Sequence, residues 1–203
     1  MQYLSAAAFV GDFAHPFISQ PRDGKQYASI IASVLATTSR GNVTIASADM
    51  EDPPVINMNW LSTETDQQLA IAAYRRIRDI FHTKAMASIL VGEGYFPGKN
   101  HSTNAEILNI IQNTVMTIYH AACTCKMGTL DDSMAVLDSH GNVFGVYGLR
   151  VVDASSFPIL VPGHPQSTVC TAFVPSWLNV FADWYMQICL RRRSLLISYL
   201  DIE

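Results

Sequence analysis

Two histidines, His120 and His164, stand in constrained segments, each just beyond a stretch whose pattern predicts regular structure. Histidine is the side chain suited to take a proton from an alcohol near neutral pH, because its unperturbed pKa of about 6.5 lies close to the working pH. Oxidising an alcohol removes a hydroxyl proton and a hydride from the adjoining carbon. A base manages the first, but no side chain accepts the second, so this chemistry requires a redox cofactor. A loop histidine is more often a structural or surface residue than a catalyst, and His15, His82, His101 and His140 are read that way. Spacing alone leaves both readings open for His120 and His164.

The elements that must position these residues follow from pattern. Residues 1–26 hold turn formers (Gly11, Pro16, Pro21, Gly24) and little periodicity, which predicts an irregular leading segment. A short apolar run, Tyr27 to Leu35, precedes the turn Ser39-Arg40-Gly41-Asn42 and a half-buried strand at Val43-Thr44-Ile45. The prolines of Pro53-Pro54-Val55-Ile56 push that stretch into extended conformation. Thr65-Asp66-Gln67-Gln68 has the form of a capping box, and Leu69, Ala73, Ile77 and Ile80 recur at helical spacing, with Arg75, Arg76 and Arg78 mostly on the wet side. After a glycine-rich loop, Thr103 and Glu106 open a second helix with Ile107, Ile111, Val115 and Ile118 on one face. Its end aims at Tyr119-His120. A hairpin around Gly141-Asn142 and a buried strand, Leu149 to Asp153, come next, and then Pro158, Pro162, Gly163 and Pro165 force the loop that carries His164.

Composition is that of an ordinary globular chain, with 49% hydrophobic and 15% charged residues. A net charge of -4 offers no basic surface for nucleic acid or anionic lipid. Met1 to Gly11 lacks a basic leader and a small-residue cleavage site, so no signal peptide is expected, and no run reaches the roughly 20 apolar residues of a membrane span. The cysteines Cys123, Cys125, Cys170 and Cys189 show neither paired CxxC spacing nor the density of a disulfide scaffold. Thiols two residues apart rarely meet the geometry of a disulfide or a metal site without further ligands, so no metal is expected.

Three segments in order carry a family resemblance. Tyr119 to Gly128 resembles the segment Y-H-P-V-G-T-C-K-M-G of the glucose-methanol-choline (GMC) oxidoreductases, and Gly148 to Ser155 resembles their G-L-R-V-V-D-A-S. Ser39-Arg40-Gly41 through Ile56 is similar to their S-R-G-x-V-x-I-x-S-x-D-P-x-x-P-P-x-I, and Val161 to Thr168 falls where they carry a second catalytic histidine or asparagine. The resemblance spans about residues 27–169. It implies FAD as cofactor, a small-molecule alcohol as substrate and a secondary-metabolic role among the options, with His120 as general base and His164 as its partner on the substrate oxygen. It further implies that Asp153 and Ala154 lie near the FAD pyrophosphate and ribityl chain, and that Pro165, Gln166 and Ser167 lie along the isoalloxazine ring.

The chain departs from the family at three places. Ala121-Ala122-Cys123 stands where P-V-G is commoner, which puts a side chain at a point of close backbone approach. No G-x-G-x-x-G fingerprint for the FAD pyrophosphate occurs. Beyond Val169 the chain also leaves the family's V-Y-x-L-A-E-K-I-A-D helix. Under permitted codons, removing bases from the second of codon 170 through the last of codon 187 restores Tyr-Met-Leu-Ala-Glu-Lys-Ile-Ala. Residues 170–203 therefore read as an atypical tail, a retained short intron with a frame shift.

The expected fold is α+β: a GMC substrate-binding domain, an antiparallel sheet with helices on one face, over 27–118, and an active-site segment with the C-terminal piece of a Rossmann-like FAD domain over 119–169. The expected function is FAD-dependent oxidation of an alcohol to a carbonyl. Two alternatives stand beside it: a non-catalytic fragment, and a non-redox cyclisation or dehydration on the same fold.

Overall fold

The computed structural model describes residues 1–11, 20–161 and 163–173, and the atypical tail beyond Phe173 lies outside them. The chain divides into two compact units, 1–119 and 120–203.

In the first unit, β1 (Gln2–Ala6) pairs antiparallel with β2 (Ser29–Ser33), Leu4 opposite Ile31. The leading segment thus begins with a strand where turn formers predicted irregular chain. Gln2, Leu4 and Ala6 turn inward while Tyr3 and Ser5 face water, an alternation too short to register without its distant partner strand. Beyond the ribbon, Phe9 meets Tyr27, Tyr95 and Phe96 edge to face, with ring centroids 5.7, 5.4 and 6.4 Å apart. A second ribbon joins β3 (Asn42–Thr44) to β4 (Val55–Asn57), Val43 opposite Ile56. Gly41 is demanded here, because a Cβ at that position would lie 2.1 Å from the Asn57 carbonyl oxygen. All six residues of this ribbon are exposed rather than half-buried. The described strands therefore form two separate two-stranded antiparallel ribbons, not one larger sheet.

Helix α1 (Glu64–Phe81) starts two residues before the expected capping box: Thr63 is the N-cap and its hydroxyl accepts from the Asp66 N–H. Asp66 is then free to face inward, where its carboxylate accepts from the Thr38 and Ser39 backbone N–H groups at 2.8 Å each and from the Thr38 hydroxyl at 3.0 Å. Burial favours the neutral acid, but the hydrogen bonds from Ser39 and Thr38 outweigh it and hold the carboxyl well below the usual range. Ala70, Ile71 and Ala73 of α1 and Ile107 of α3 (Asn104–Thr114) form the core of this unit. The short α2 (Lys84–Ala87) lies between them in sequence.

The capping box of α3 forms as expected: Thr103 Oγ1 accepts from the Glu106 N–H, and the Glu106 carboxylate accepts from the Thr103 N–H at 3.0 Å. The helix ends at Thr114, however, and leaves Val115 and Ile118 outside it. Asn113 and Thr114 donate side-chain hydrogen bonds to the carbonyls of Asn109 and Ile110, and β-branched Val115 follows in extended conformation as C-cap.

The second unit is built mainly from turns and single bridges around Leu137, which is fully buried, and Phe157. The hairpin expected at Gly141-Asn142 is present as a tight loop: the Asp138 carboxylate accepts from the His140 N–H and from the backbone and side-chain amides of Asn142. Those bonds pull its carboxyl below the ordinary range against the opposing effect of burial. The segment 149–153 corrects the expectation of a buried strand. Leu149, Arg150 and Asp153 are exposed, and only Arg150 bridges, to Asn142. An apolar run at the surface of a small unit reads the same as a buried strand when periodicity is the only signal.

Candidate active site

His120 is aimed by the backbone on both sides. Tyr119 and Cys123 adopt φ of +64° and +69°, the left-handed region that normally calls for glycine. Downstream, the segment is fastened rung by rung: the N–H groups of Cys123, Cys125 and Met127 donate to the carbonyls of Ala154, Ser155 and Ser156 at 3.1, 2.9 and 2.9 Å. The first and second resemblance motifs are thus laced together. The acceptor side is a 3-10 turn, Ala154–Ser156, capped by Asp153, whose side chain accepts from the Ser155 N–H at 2.7 Å while its carbonyl accepts from the Ser156 hydroxyl. Gly128 closes the segment where a Cβ would come 2.8 Å from that of Ala135. Lys126 pairs with Asp132 at 2.6 Å and lowers that carboxyl's pKa.

His164 sits between Gly163, with φ of +104°, and buried Pro165, which opens α4 (Gln166–Phe173) and accepts from the Val169 N–H at 2.7 Å. Its neighbour Pro162 lies outside the described residues.

These two loops, 44 residues apart in sequence, bring His120 Nε2 within 2.6 Å of His164 Nδ1, with the rings 4.8 Å apart and 84° from coplanar. His120 is half-buried and His164 exposed, so the pair opens to the outside. One nitrogen of the contact carries a proton and the other a lone pair. The arrangement therefore offers a donor and an acceptor side by side, the equipment for holding a hydroxyl oxygen and removing its proton. The remaining histidines His82, His101 and His140 do not join it, and His15 lies outside the described residues.

The other residues singled out in the sequence fall on the same unit. Asp153, Gln166 and Ser167 are exposed, Ala154 is half-buried, and Pro165 is buried. The donors at the start of the Ala154 turn are already taken, the Ser155 N–H by the Asp153 carboxylate and the Ser156 N–H by the Asp153 carbonyl, whereas Gln166 begins α4, and a helix start presents backbone N–H donors suited to an anionic cofactor. Pro165, being buried, would act through backbone and shape rather than through its ring face. Among the described residues no three His, Cys, Asp or Glu side chains gather as a metal centre, and no helix is long and apolar enough to cross a membrane. The positive φ at Tyr119 and Cys123 was missed by sequence reasoning, although the glycine usual at the Cys123 position was the available signal.

The sequence model described as GMC oxidoreductase matches residues 37–172. The patulin synthase of Aspergillus clavatus is 48% identical over 83% of this chain and 27% of its own length. Among solved structures, an FAD-dependent oxidoreductase from Chaetomium thermophilum superposes with a TM-score of 0.67 at 27% identity, over 80% of this chain and 27% of that one. A fungal aryl-alcohol oxidase follows with a TM-score of 0.66 at 25% identity, over 78% and 26%. The chain spans about a quarter of the length of the proteins it matches.

Proposed function

The chain belongs to the GMC oxidoreductase family, and on that premise we propose that it supplies the acid–base half of an FAD-dependent site that oxidises an alcohol to a carbonyl. The observation that carries this reading is the 2.6 Å approach of His120 Nε2 to His164 Nδ1. FAD, when bound, supplies the hydride acceptor that no side chain provides.

His120 takes the hydroxyl proton at Nε2. For that it must present its lone pair, which assigns the shared proton of the pair to His164 Nδ1 and the other proton of His120 to Nδ1. His164 then donates to the substrate oxygen and steadies the negative charge that grows there as the proton leaves. A hydroxyl oxygen held by both rings at ordinary hydrogen-bond lengths needs the nitrogens about 4.6 Å apart. The pair must therefore part by roughly 2 Å from its present 2.6 Å as the alcohol enters. Exposure of His164 on a loop after Gly163 leaves it room to do so. Asp153, Ala154, Gln166 and Ser167 are the groups proposed to hold the pyrophosphate, ribityl chain and ring edge.

The test is anaerobic flavin bleaching by an alcohol in a flavin-loaded protein that carries this sequence. His120→Ala is expected to slow bleaching by about 10² to 10⁴-fold. Unchanged bleaching kinetics would remove His120 as the base, and product formation with no bleaching would favour non-redox chemistry on the same pair.

A further inference from the structure

We propose that His120 Nε2 and His164 Nδ1 also form a two-imidazole site for a borderline divalent transition cation, zinc or copper(II). The two nitrogens already face each other at 2.6 Å, with the rings nearly perpendicular at 84°. Moving the shared proton to the far nitrogen of the donating ring leaves two lone pairs directed into one gap, with no change in net charge. Neutral imidazole is the commonest side-chain ligand for such cations. Tetrahedral zinc, with Zn–N of about 2.0–2.1 Å, holds two ligand nitrogens about 3.3 Å apart. The two nitrogens meet almost head-on, with ring centres 4.8 Å apart, so the rings must tilt as well as separate by about 0.7 Å from their 2.6 Å contact, a separation still smaller than an alcohol oxygen demands.

No third His, Cys, Asp or Glu converges on this point among the described residues. The other coordination positions fall to water, as in an open site rather than a closed structural centre. Copper(II) should therefore bind more tightly than zinc, whereas magnesium, which seeks an octahedron of oxygens, should not bind. A cation seated there occupies the lone pair that proton abstraction needs.

Calorimetric titration of the full chain with copper(II), zinc and magnesium chlorides reads the site directly. Expected is a component of unit stoichiometry for copper and zinc, in that order of affinity, with no magnesium response. His120→Ala and His164→Ala should each weaken zinc binding at least tenfold, while His82→Ala and His140→Ala leave it unchanged. On the unaltered chain, where no variant has to fold, zinc should protect His120 and His164 from acylation by diethylpyrocarbonate, mapped by mass, and spare His101 little. Equal zinc affinity in both pair variants and the parent, or acylation of both rings as fast with zinc as without, overturns the proposal. Cation binding needs lone pairs alone, so a His120→Ala protein that loses flavin reduction beside a parent that binds no zinc would sink this inference and leave the proposed function standing.

Discussion

Replacing Asp66 by alanine tests whether one buried carboxylate holds the Thr38–Gly41 turn to the first helix. Asp66 has no exposed surface and accepts three hydrogen bonds, two of them from the backbone N–H groups of Thr38 and Ser39 at 2.8 Å. Alanine orphans both amides, at about 1–3 kcal/mol each when no water reaches them. The Thr38 hydroxyl loses less, since it already lies 2.6 Å from the Thr63 hydroxyl. Thr38 is itself exposed, so water can recover part of one amide bond, and the net loss works out at roughly 3 kcal/mol. With urea slopes of about 1–3 kcal/mol/M, the unfolding midpoint of the full chain should fall by roughly 1–3 M at pH 7. The acid arm fixes the sign. Asp66 is depressed in the folded state, so its contribution is complete above the unfolded carboxyl value of about 3.9 and shrinks as pH falls through that value toward the folded one. The difference between parent and variant should stay constant from about pH 5 to 8 and narrow below about pH 4. An unfolding free energy at pH 7 within about 0.5 kcal/mol of the parent's, or a difference equally large in acid, would refute the reasoning.

Cys123→Gly should raise the melting temperature modestly. A side chain at φ +69° costs about 1–2 kcal/mol, against about 0.5–1 kcal/mol of glycine's extra chain entropy, and a fall in melting temperature would show that the thiol's contacts outweigh the strain. Gly41→Ala should abolish the β3–β4 ribbon, because its new Cβ meets the Asn57 carbonyl oxygen at 2.1 Å; amide exchange at Asn42 and Thr44 as slow as in the parent would contradict this.

What the sequence made legible was whatever depends on neighbours along the chain. The capping box at Thr103 and Glu106, the extended stretch after Pro54 and the tight loop at Gly141 are each decided within a few residues, and each is present. Elements whose stability comes from a distant partner were misread. Strand β1 depends on a ladder to Ser29–Ser33, and the first turn of α1 is set by Asp66 reaching back to Thr38, which moves the cap from Thr65 to Thr63. The surface run at 149–153 erred the other way, since apolar residues alone do not say which side of them a core lies on. For the site, residue types nominated His120 and His164, and the resemblance paired them, yet neither contains the 2.6 Å contact.

The structure gives that contact a physical cause that the motifs leave implicit. Residues 123–127 and 154–156 are tied by three backbone hydrogen bonds, so the loop bearing His120 takes its position from the turn that Asp153 caps. Ser155 and Ser156 use backbone atoms for this purpose, and the Ser156 hydroxyl adds a bond to the Asp153 carbonyl that holds the turn itself. The strain at Tyr119 and Cys123 is then the cost of turning His120 out of line with the segment that anchors it, and it is sustained by that anchoring rather than by the imidazole itself. Relief of strain at Cys123 and aim of His120 are accordingly separable. Glycine at 123 should stabilise the fold without moving the ring, whereas loosening the Asp153 cap by Asp153→Ala should let His120 and His164 drift apart with little change in the rest of the unit.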